Sequence, residues 1–379
     1  MPELLEAYLN RQLQQREAAG ALRSLSVRSS GIDFFSNDYL GIATNRVLDK
    51  DGRHYAYGAT GSRLLSGNSN EAGALEQYLA AYHGAQTALL FNSGYDANLG
   101  LITALAHRHT TILYDEYVHA SIIDGIRLSH ARQAFRFRHN DMHDLEQKLQ
   151  KYSGTGPLIV IAEAVYSMEG DTAPLEALAS LTAGYDAALI VDEAHSTGVT
   201  GPKGAGLVAA LGLEEQVFAR VHTFGKAMGC HGAVVLGSVL LRDYLVNHAR
   251  SFIYTTALPV QAVMTIRHAY EWLEQNDGVR QQLHDRITFF RKQCKEGPGI
   301  RWIHSETAIQ GLVLGDNGQA RNIAHHLSNH NIKAAAILPP TVPAGTARIR
   351  ICLHAFNTEN DILMLHHTLE QWLQSNPSL

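Results

Sequence analysis

Three short stretches hold side chains whose type and order suit one kind of chemistry: Asp115-Glu116-Tyr117-Val118-His119-Ala120-Ser121, Val191-Asp192-Glu193-Ala194-His195 and Thr223-Phe224-Gly225-Lys226. Lys226 follows the apolar run 221–224 and precedes the small residues Ala227-Met228-Gly229. An amine at the mouth of a strand can form a Schiff base with an aldehyde. Asp192 ends the apolar run 188–191, and a carboxylate there can pair with a pyridine nitrogen and make the ring an electron sink. His195, three residues on, could bond a phenolic oxygen of such a ring, and His119 could stack on its face. The ordinary reading of a lysine is a solvated surface charge, which the packed apolar and glycine context disfavours. The set suits a pyridine aldehyde cofactor, pyridoxal phosphate.

A phosphate needs an anchor as well. Ser93-Gly94-Tyr95 sits where an apolar run gives way to a helical pattern, and the first amides of a helix are natural anion donors. Ser93 reads equally as an ordinary helix cap. Thr223, three residues before the lysine, could add a hydroxyl. Near the other end of the chain, Arg348 and Arg350 alternate with Ile349, so both point to one face of a strand. They are either a surface pair or a bidentate clamp for a carboxylate.

Other chemistries are set aside by what is missing. Asp192-Glu193-Ala194-His195 also spells a helicase DEAH box, but no upstream GxxxxGKS/T loop occurs. The formal charge of -5 offers no field for a nucleic-acid backbone or a membrane surface. Among 21 histidines, His139 and His143 are four apart but flank a turn-like Asn140-Asp141, and no HExxH or CxxC is present, so no metal is expected. No apolar run is long enough for a membrane helix, and the first twenty residues lack the apolar core of a secretory signal. Three scattered cysteines, Cys230, Cys294 and Cys352, suggest a reducing cytosol rather than a disulfide framework.

The elements that must position these groups follow from periodicity. Leu4, Leu5, Tyr8 and Leu9 predict an amphipathic N-terminal helix within the first thirty residues. A glycine- and serine-rich stretch, Tyr57 to Asn68, reads as a flexible loop or a close approach to a ligand. Beyond it a helix at 74–83 leads into apolar runs at 87–91, 111–113, 158–162, 188–191, 221–224 and 233–236, separated by helical segments. That alternation predicts an α/β fold with a mostly parallel sheet covered on both faces. Ligands of such sheets collect at the carboxyl ends of strands, where all three motifs fall. A long helix over 261–292 and strands near 311–314 and 348–352 predict a smaller α+β domain. The expected division is an N-terminal segment 1–36, a large domain 37–259 and a small domain 260–379.

These motifs together resemble the α-oxoamine synthase family, enzymes of the aspartate-aminotransferase fold (fold type I). The resemblance runs from Ser36-Asn37-Asp38-Tyr39-Leu40-Gly41 to the last strand. It implies a seven-stranded sheet in the large domain, pyridoxal 5'-phosphate as cofactor, and joining of an amino acid to an acyl-CoA with loss of carbon dioxide. By the same resemblance Lys226 carries the cofactor, His119 stacks on it, Asp192 meets its ring nitrogen and His195 its phenolic oxygen. Asn37, Ser93, Gly94, Tyr95, Ser167 and Thr223 surround it, Arg350 clamps a substrate carboxylate and Arg23 lies near the acyl substrate. Thr307-Ala308-Ile309-Gln310 and the stretch Pro339 to Arg350 are most similar to the branch using L-alanine with pimeloyl-CoA or a pimeloyl carrier protein. The siblings using glycine with acetyl-CoA, or serine with palmitoyl-CoA, are the alternatives, and a non-catalytic binding protein is the alternative of another class. The resemblance also implies an obligate homodimer in which the glycine-rich segment reaches the neighbouring site. Two positions depart from many relatives: Glu193, and the Ala227-Met228-Gly229-Cys230-His231 that follows the lysine.

Overall fold

Residues 3–23, 25, 30–48, 58–294 and 300–376 are described by a computed structural model, and Tyr57 of the glycine-rich segment lies outside them. They form two units, Met1–Ser36 with Met168–Gly170 and Leu283–Leu379, and Asn37–Ser167 with Asp171–Gln282. The N-terminal segment thus groups with the C-terminal residues, and the second division falls at 282/283 rather than near 259.

Helix α1 (Glu3–Ala18) opens the chain. It stops well short of residue thirty because Gly20, at φ +59, turns the backbone left-handed and its N–H returns to the Glu17 carbonyl at 2.8 Å, a glycine helix stop. Its apolar residues Leu4, Leu5, Tyr8, Leu9 and Leu13 are exposed. A short strand, β1 (Ile32–Asp33), follows.

The larger unit then alternates α2 (Asn70–Tyr82), β2 (Thr87–Phe91), α3 (Gly94–Leu105), β3 (Thr111–Asp115), α4 (Ala120–Leu128), β4 (Gln133–Phe137), α5 (Met142–Tyr152), β5 (Leu158–Glu163), α6 (Leu175–Gly184) and β6 (Ala187–Asp192). After the short α7 (Leu207–Ala210) come β7 (Ala219–Thr223), β8 (Ala233–Gly237), α8 (Val239–His248), α9 (Arg250–Ile253) and α10 (Val260–Gln275). Seven strands make one sheet in the order β2-β8-β7-β6-β5-β3-β4. All neighbours run parallel except β8, which is antiparallel to both β2 and β7. Alternate residues feed two cores: Ile112, Ile159, Ile161 and Ile190 pack on one face, and Leu113, Val160, Leu189 and Val191 on the other. A sheet covered on both sides needs unbroken apolar strands, which is why these runs are legible. The edge strand β4 escaped the sequence reading because Arg136 interrupts it and it is only partly buried.

The predicted helix over 261–292 is two helices, α10 and α11 (Gly278–Gln293), broken at Asn276, whose φ of -128 and ψ of 48 leave helical space. In the smaller unit β9 (Arg301–Trp302), β10 (Ile309–Gly315), α12 (Asn317–Asn329), β11 (Ile332–Lys333), β12 (Ala335–Ile337), β13 (Ala347–Cys352) and α13 (Glu359–Ser375) follow. Four strands form an antiparallel sheet, β12-β13-β10-β9, while β11 pairs in parallel with β1 and so ties the N-terminal segment into this unit.

A buried histidine pair joins the end of α2 to β7. His83 places Nδ1 2.9 Å from the Ala205 carbonyl and Nε2 2.9 Å from the Tyr270 hydroxyl, with its ring 4.2 Å from that of His222. Burial drives the His83 imidazole down to about 3 and holds His222 well below its usual value. A folded-state value below the unfolded one means the native state binds fewer protons. The resulting stability is present above about 6.5 and is lost as pH falls toward about 3. Urea unfolding across that window should show a falling midpoint. His83→Gln should make the fall shallower, by up to about 1.4 kcal/mol per pH unit.

Candidate active site

At the carboxyl edge of the larger sheet, three neighbouring parallel strands end in acids: Asp115 on β3, Glu163 on β5 and Asp192 on β6, with Glu163 and Asp192 opposite each other in register. Asp192 is buried. Its Oδ2 accepts from Asn98 Nδ2 at 2.7 Å and its Oδ1 from the Ala194 N–H at 2.9 Å. Asn98 stands on α3, and its amide also donates to Ser121 Oγ at 3.0 Å. Because that oxygen accepts from Asn98, the Ser121 proton is left for His119 Nδ1, 2.8 Å away, which also accepts the Ser121 N–H. His119 therefore carries its own proton on Nε2. Burial lowers its pKa, opposed by the Asp192 charge, so the ring is neutral.

A second hydrogen-bonded row reaches the lysine. Lys226 Nζ lies 2.7 Å from His195 Nε2, His195 Nδ1 lies 2.7 Å from the Tyr39 hydroxyl, and Tyr39 donates to Asn37 Oδ1 at 3.1 Å. Since the phenolic proton goes to Asn37, His195 donates from Nδ1 and leaves Nε2 as an acceptor for the lysine amine. Every proton in the row then points away from Lys226.

Gly94, Tyr95, His119, Asp192, His195, Thr223 and Lys226, all selected from the sequence, line one cavity of about 130 Å3. Asn98, Ser121, Glu163 and Ala194 line it too and were missed; only their place beside the acid and histidine motifs could have flagged them. Ser93 does not line it but caps α3, accepting the Asp96 N–H at 3.1 Å and donating to the Asp96 carboxylate at 2.8 Å. Asn37 closes the Tyr39 row, and Ser167 lies in the turn after β5, outside the cavity lining. Arg23 and Arg350 belong to the smaller unit. Of the arginine pair, Arg348 is taken up structurally, bonding Glu169 at 3.1 Å and the Met168 carbonyl at 3.1 Å.

Both departures from the family pattern serve packing. The Glu193 carboxylate accepts the Leu207 and Val208 N–H groups, each at 2.8 Å, and the Ser196 hydroxyl. A Cβ on Gly206, at φ +108, would sit 2.7 Å from it. Glu193 thus fixes the turn that follows Asp192, and burial raises its pKa. Ala227 and Met228 are buried, anchoring the backbone on which Lys226 stands. Asp115, from the first motif, serves His139: its carboxylate takes Nδ1 at 2.9 Å while Asp171 takes Nε2 at 2.8 Å. Burial opposes the charged ring, but these two partners prevail and lift it to about 10.

The cavity fits pyridoxal phosphate. A Cβ at Gly94 would come within 3.3 Å of Thr223 Cβ and Oγ1, so glycine leaves more room for a phosphate between the α3 N-terminus and that hydroxyl. Asp192 could supply the anion for a ring nitrogen, the neutral His119 a face to stack on, and Lys226 the amine. Among the described residues no group of three or more His, Cys, Asp or Glu could hold a metal ion, and no helix is long and apolar enough to cross a membrane.

Residues 29–369 match the model of the aminotransferase class I and II family. An 8-amino-7-oxononanoate synthase from Emericella nidulans is 39% identical over 98% of this chain and 97% of its own length. A protein named putative 8-amino-7-oxononanoate synthase from Geobacillus kaustophilus is 43% identical over 93% and 91%. Among solved structures, serine palmitoyltransferase from S. paucimobilis with a bound PLP–myriocin aldimine superposes with a TM-score of 0.85 at 28% identity, covering 98% of each chain. The 8-amino-7-oxononanoate synthase of Francisella tularensis gives 0.75 at 30% identity over 92% of this chain and 99% of that one.

Asn98 serves both Asp192 and Ser121, so Asn98→Ala should weaken pyridoxal phosphate binding, followed by absorbance titration. Loss of a hydrogen bond to a charged group corresponds to about 10-fold or more, and binding unchanged from wild type would show that Asp192 does not depend on this donor.

Proposed function

The chain belongs to the class I and II aminotransferase family and, within it, to the α-oxoamine synthases, and from that premise we propose that it catalyses the 8-amino-7-oxononanoate synthase reaction. In this reading L-alanine condenses with pimeloyl-CoA or a pimeloyl carrier protein, releasing carbon dioxide and the thiol carrier, as a cytosolic step of biotin synthesis. The observation that carries it is the convergence of Lys226, His195, Asp192 and His119 on one cavity in a chain 38–43% identical, over most of its length, to relatives of that name.

When bound, pyridoxal phosphate supplies an electrophilic carbon for the substrate amine and a protonated ring that draws electrons from the α-carbon. Asp192 holds the proton on the ring nitrogen, since its charge is kept by two donors and sheltered from water. Lys226 is the base that takes the α-proton and later returns one. His195, an acceptor at Nε2, keeps the amine oriented, and Tyr39 and Asn37 fix that tautomer. His119 excludes water from one face, and Gly94 with Thr223 holds the phosphate.

A charge argument favours the pimeloyl branch. Within the smaller unit Arg16, Arg23 and Arg321 share a cavity of about 370 Å3 with Thr341, whose Oγ1 lies 3.5 Å from Arg23 Nη2. A pimeloyl group ends in a carboxylate that such a cluster suits, whereas acetyl and palmitoyl groups carry no distal charge. Arg350, buried on β13, is assigned to the amino-acid carboxylate. A homodimer completes the reading: Leu64, Leu65 and Tyr254 are exposed apolar side chains on and beside the glycine-rich segment, and they suit a second copy of the chain.

With pyridoxal phosphate present, L-alanine and pimeloyl-CoA should give 8-amino-7-oxononanoate by mass spectrometry, while glycine with acetyl-CoA gives no product. Product from the second pair alone would move the chain to the acetyl-transferring branch. Lys226→Ala should lose the visible absorbance of lysine-bound cofactor and on the order of 10^3-fold in turnover; retention of both would sink the role given to the lysine. Arg23→Ala should raise KM for pimeloyl-CoA by about tenfold, and an unchanged KM would remove Arg23 from the acyl site.

A further inference from the structure

Glu163 lines the same cavity, yet the reaction just described gives it no part. It is buried at the end of β5, and its carboxylate accepts the His119 N–H. Its register partner on the adjacent parallel strand is Asp192, so the two side chains emerge on the same side of the sheet. Two buried carboxylates at the ends of neighbouring strands disfavour each other's charge, so one of them takes up a proton. The donors decide where that proton rests. Asp192 receives two hydrogen bonds, from Asn98 and Ala194, whereas one is seen at Glu163, from the His119 N–H.

We infer that Glu163 is a positioning residue that carries the proton of a Glu163–Asp192 pair, leaving Asp192 the anion of the cavity while its own oxygen fixes the backbone of His119. The groups that face it agree in sign. Burial, then Asp192 on β6 and Asp115 on β3, push its carboxyl well above the ordinary range, against the pull of Lys226 beyond β7 and of the His119 N–H. Tyr166, just past the same strand, is buried and also raised, first by burial and then by Asp115 and Glu163, so it adds no charge. A neutral Glu163 concentrates the negative charge at Asp192, where a ring nitrogen needs it. An ionised one would spread that charge toward the wall and repel the anion it adjoins. The inference rests on the reading of this cavity as the pyridoxal phosphate site.

The test uses the full chain, with and without pyridoxal phosphate, as wild type, Glu163→Gln, Glu163→Asp and Asp192→Asn. The wild-type minus Glu163→Gln infrared difference spectrum at neutral pH should show the carbonyl stretch of a protonated carboxylic acid. In Asp192→Asn that band should be lost at a lower pH than in wild type, because the neighbouring anion is gone. Glu163→Asp, one methylene too short to reach the His119 N–H, should lower kcat by about tenfold with KM little changed. Glu163→Gln, neutral and still an acceptor, should lose less than Glu163→Asp. Absence of the acid band in wild type, or a larger loss in Glu163→Gln than in Glu163→Asp, overturns the inference. The spectra need no substrate, so a chain that shows the band but makes no 8-amino-7-oxononanoate overturns only the substrate reading.

Discussion

A buried anion is the constraint around which the larger unit is arranged. An ionised carboxylate taken out of water without partners costs several kcal/mol, so Asp192 must find donors before the sheet can close over it. One comes from its own turn, the Ala194 N–H, and the shape of that turn is set by Glu193 gripping the start of α7. The other comes from Asn98, which fixes the rotation of α3 about its axis and with it the direction of Gly94 and Tyr95. The second proton of the same amide runs through Ser121 to His119. One carboxylate therefore orders a helix start, a serine and an imidazole tautomer.

Charge in the site is graded by the same means. His119 is kept neutral by burial, its Nδ1 turned to the Ser121 hydroxyl, whereas His139, between two carboxylates, stays cationic. Burial disfavours the charge on both rings, and the two differ because only His139 meets a carboxylate at each nitrogen. Lys226 adjoins a histidine nitrogen that accepts rather than donates, the arrangement a base requires of its neighbour.

Much of this was legible in the residues. Unbroken apolar strands announced the sheet, and Asp192, His195, Thr223 and Lys226 were readable because each ends or follows such a run. What was not legible depends on partners distant in sequence. Asn98 looks like any polar residue on a helix until Asp192 is placed beneath it. Glu163 follows the apolar run 158–162 and drew no reading of its own, because its place beside Asp192 comes from register with β6. Arg348 and Arg350 were indistinguishable by spacing, and the bonds of Arg348 to Glu169 and to the Met168 carbonyl come from a segment distant in sequence. The break at Asn276 was hidden by polar residues that fit a helix and a turn equally well.

The reversed strand β8 has a consequence for biogenesis. Among the described residues β2 lies at the sheet edge with β8 as its single neighbour, and Phe91 and Thr223 both align with Ala233. On the ribosome, β2 emerges early and finds no hydrogen-bonding partner until 233–237 has been made. Until then a five-residue apolar strand waits with both edges open, the form in which nascent chains are most prone to mispair. The strand that brings Phe91 and Thr223 to one level is also the last of the sheet to be made, so β2 stays without this partner through most of the synthesis of the larger unit.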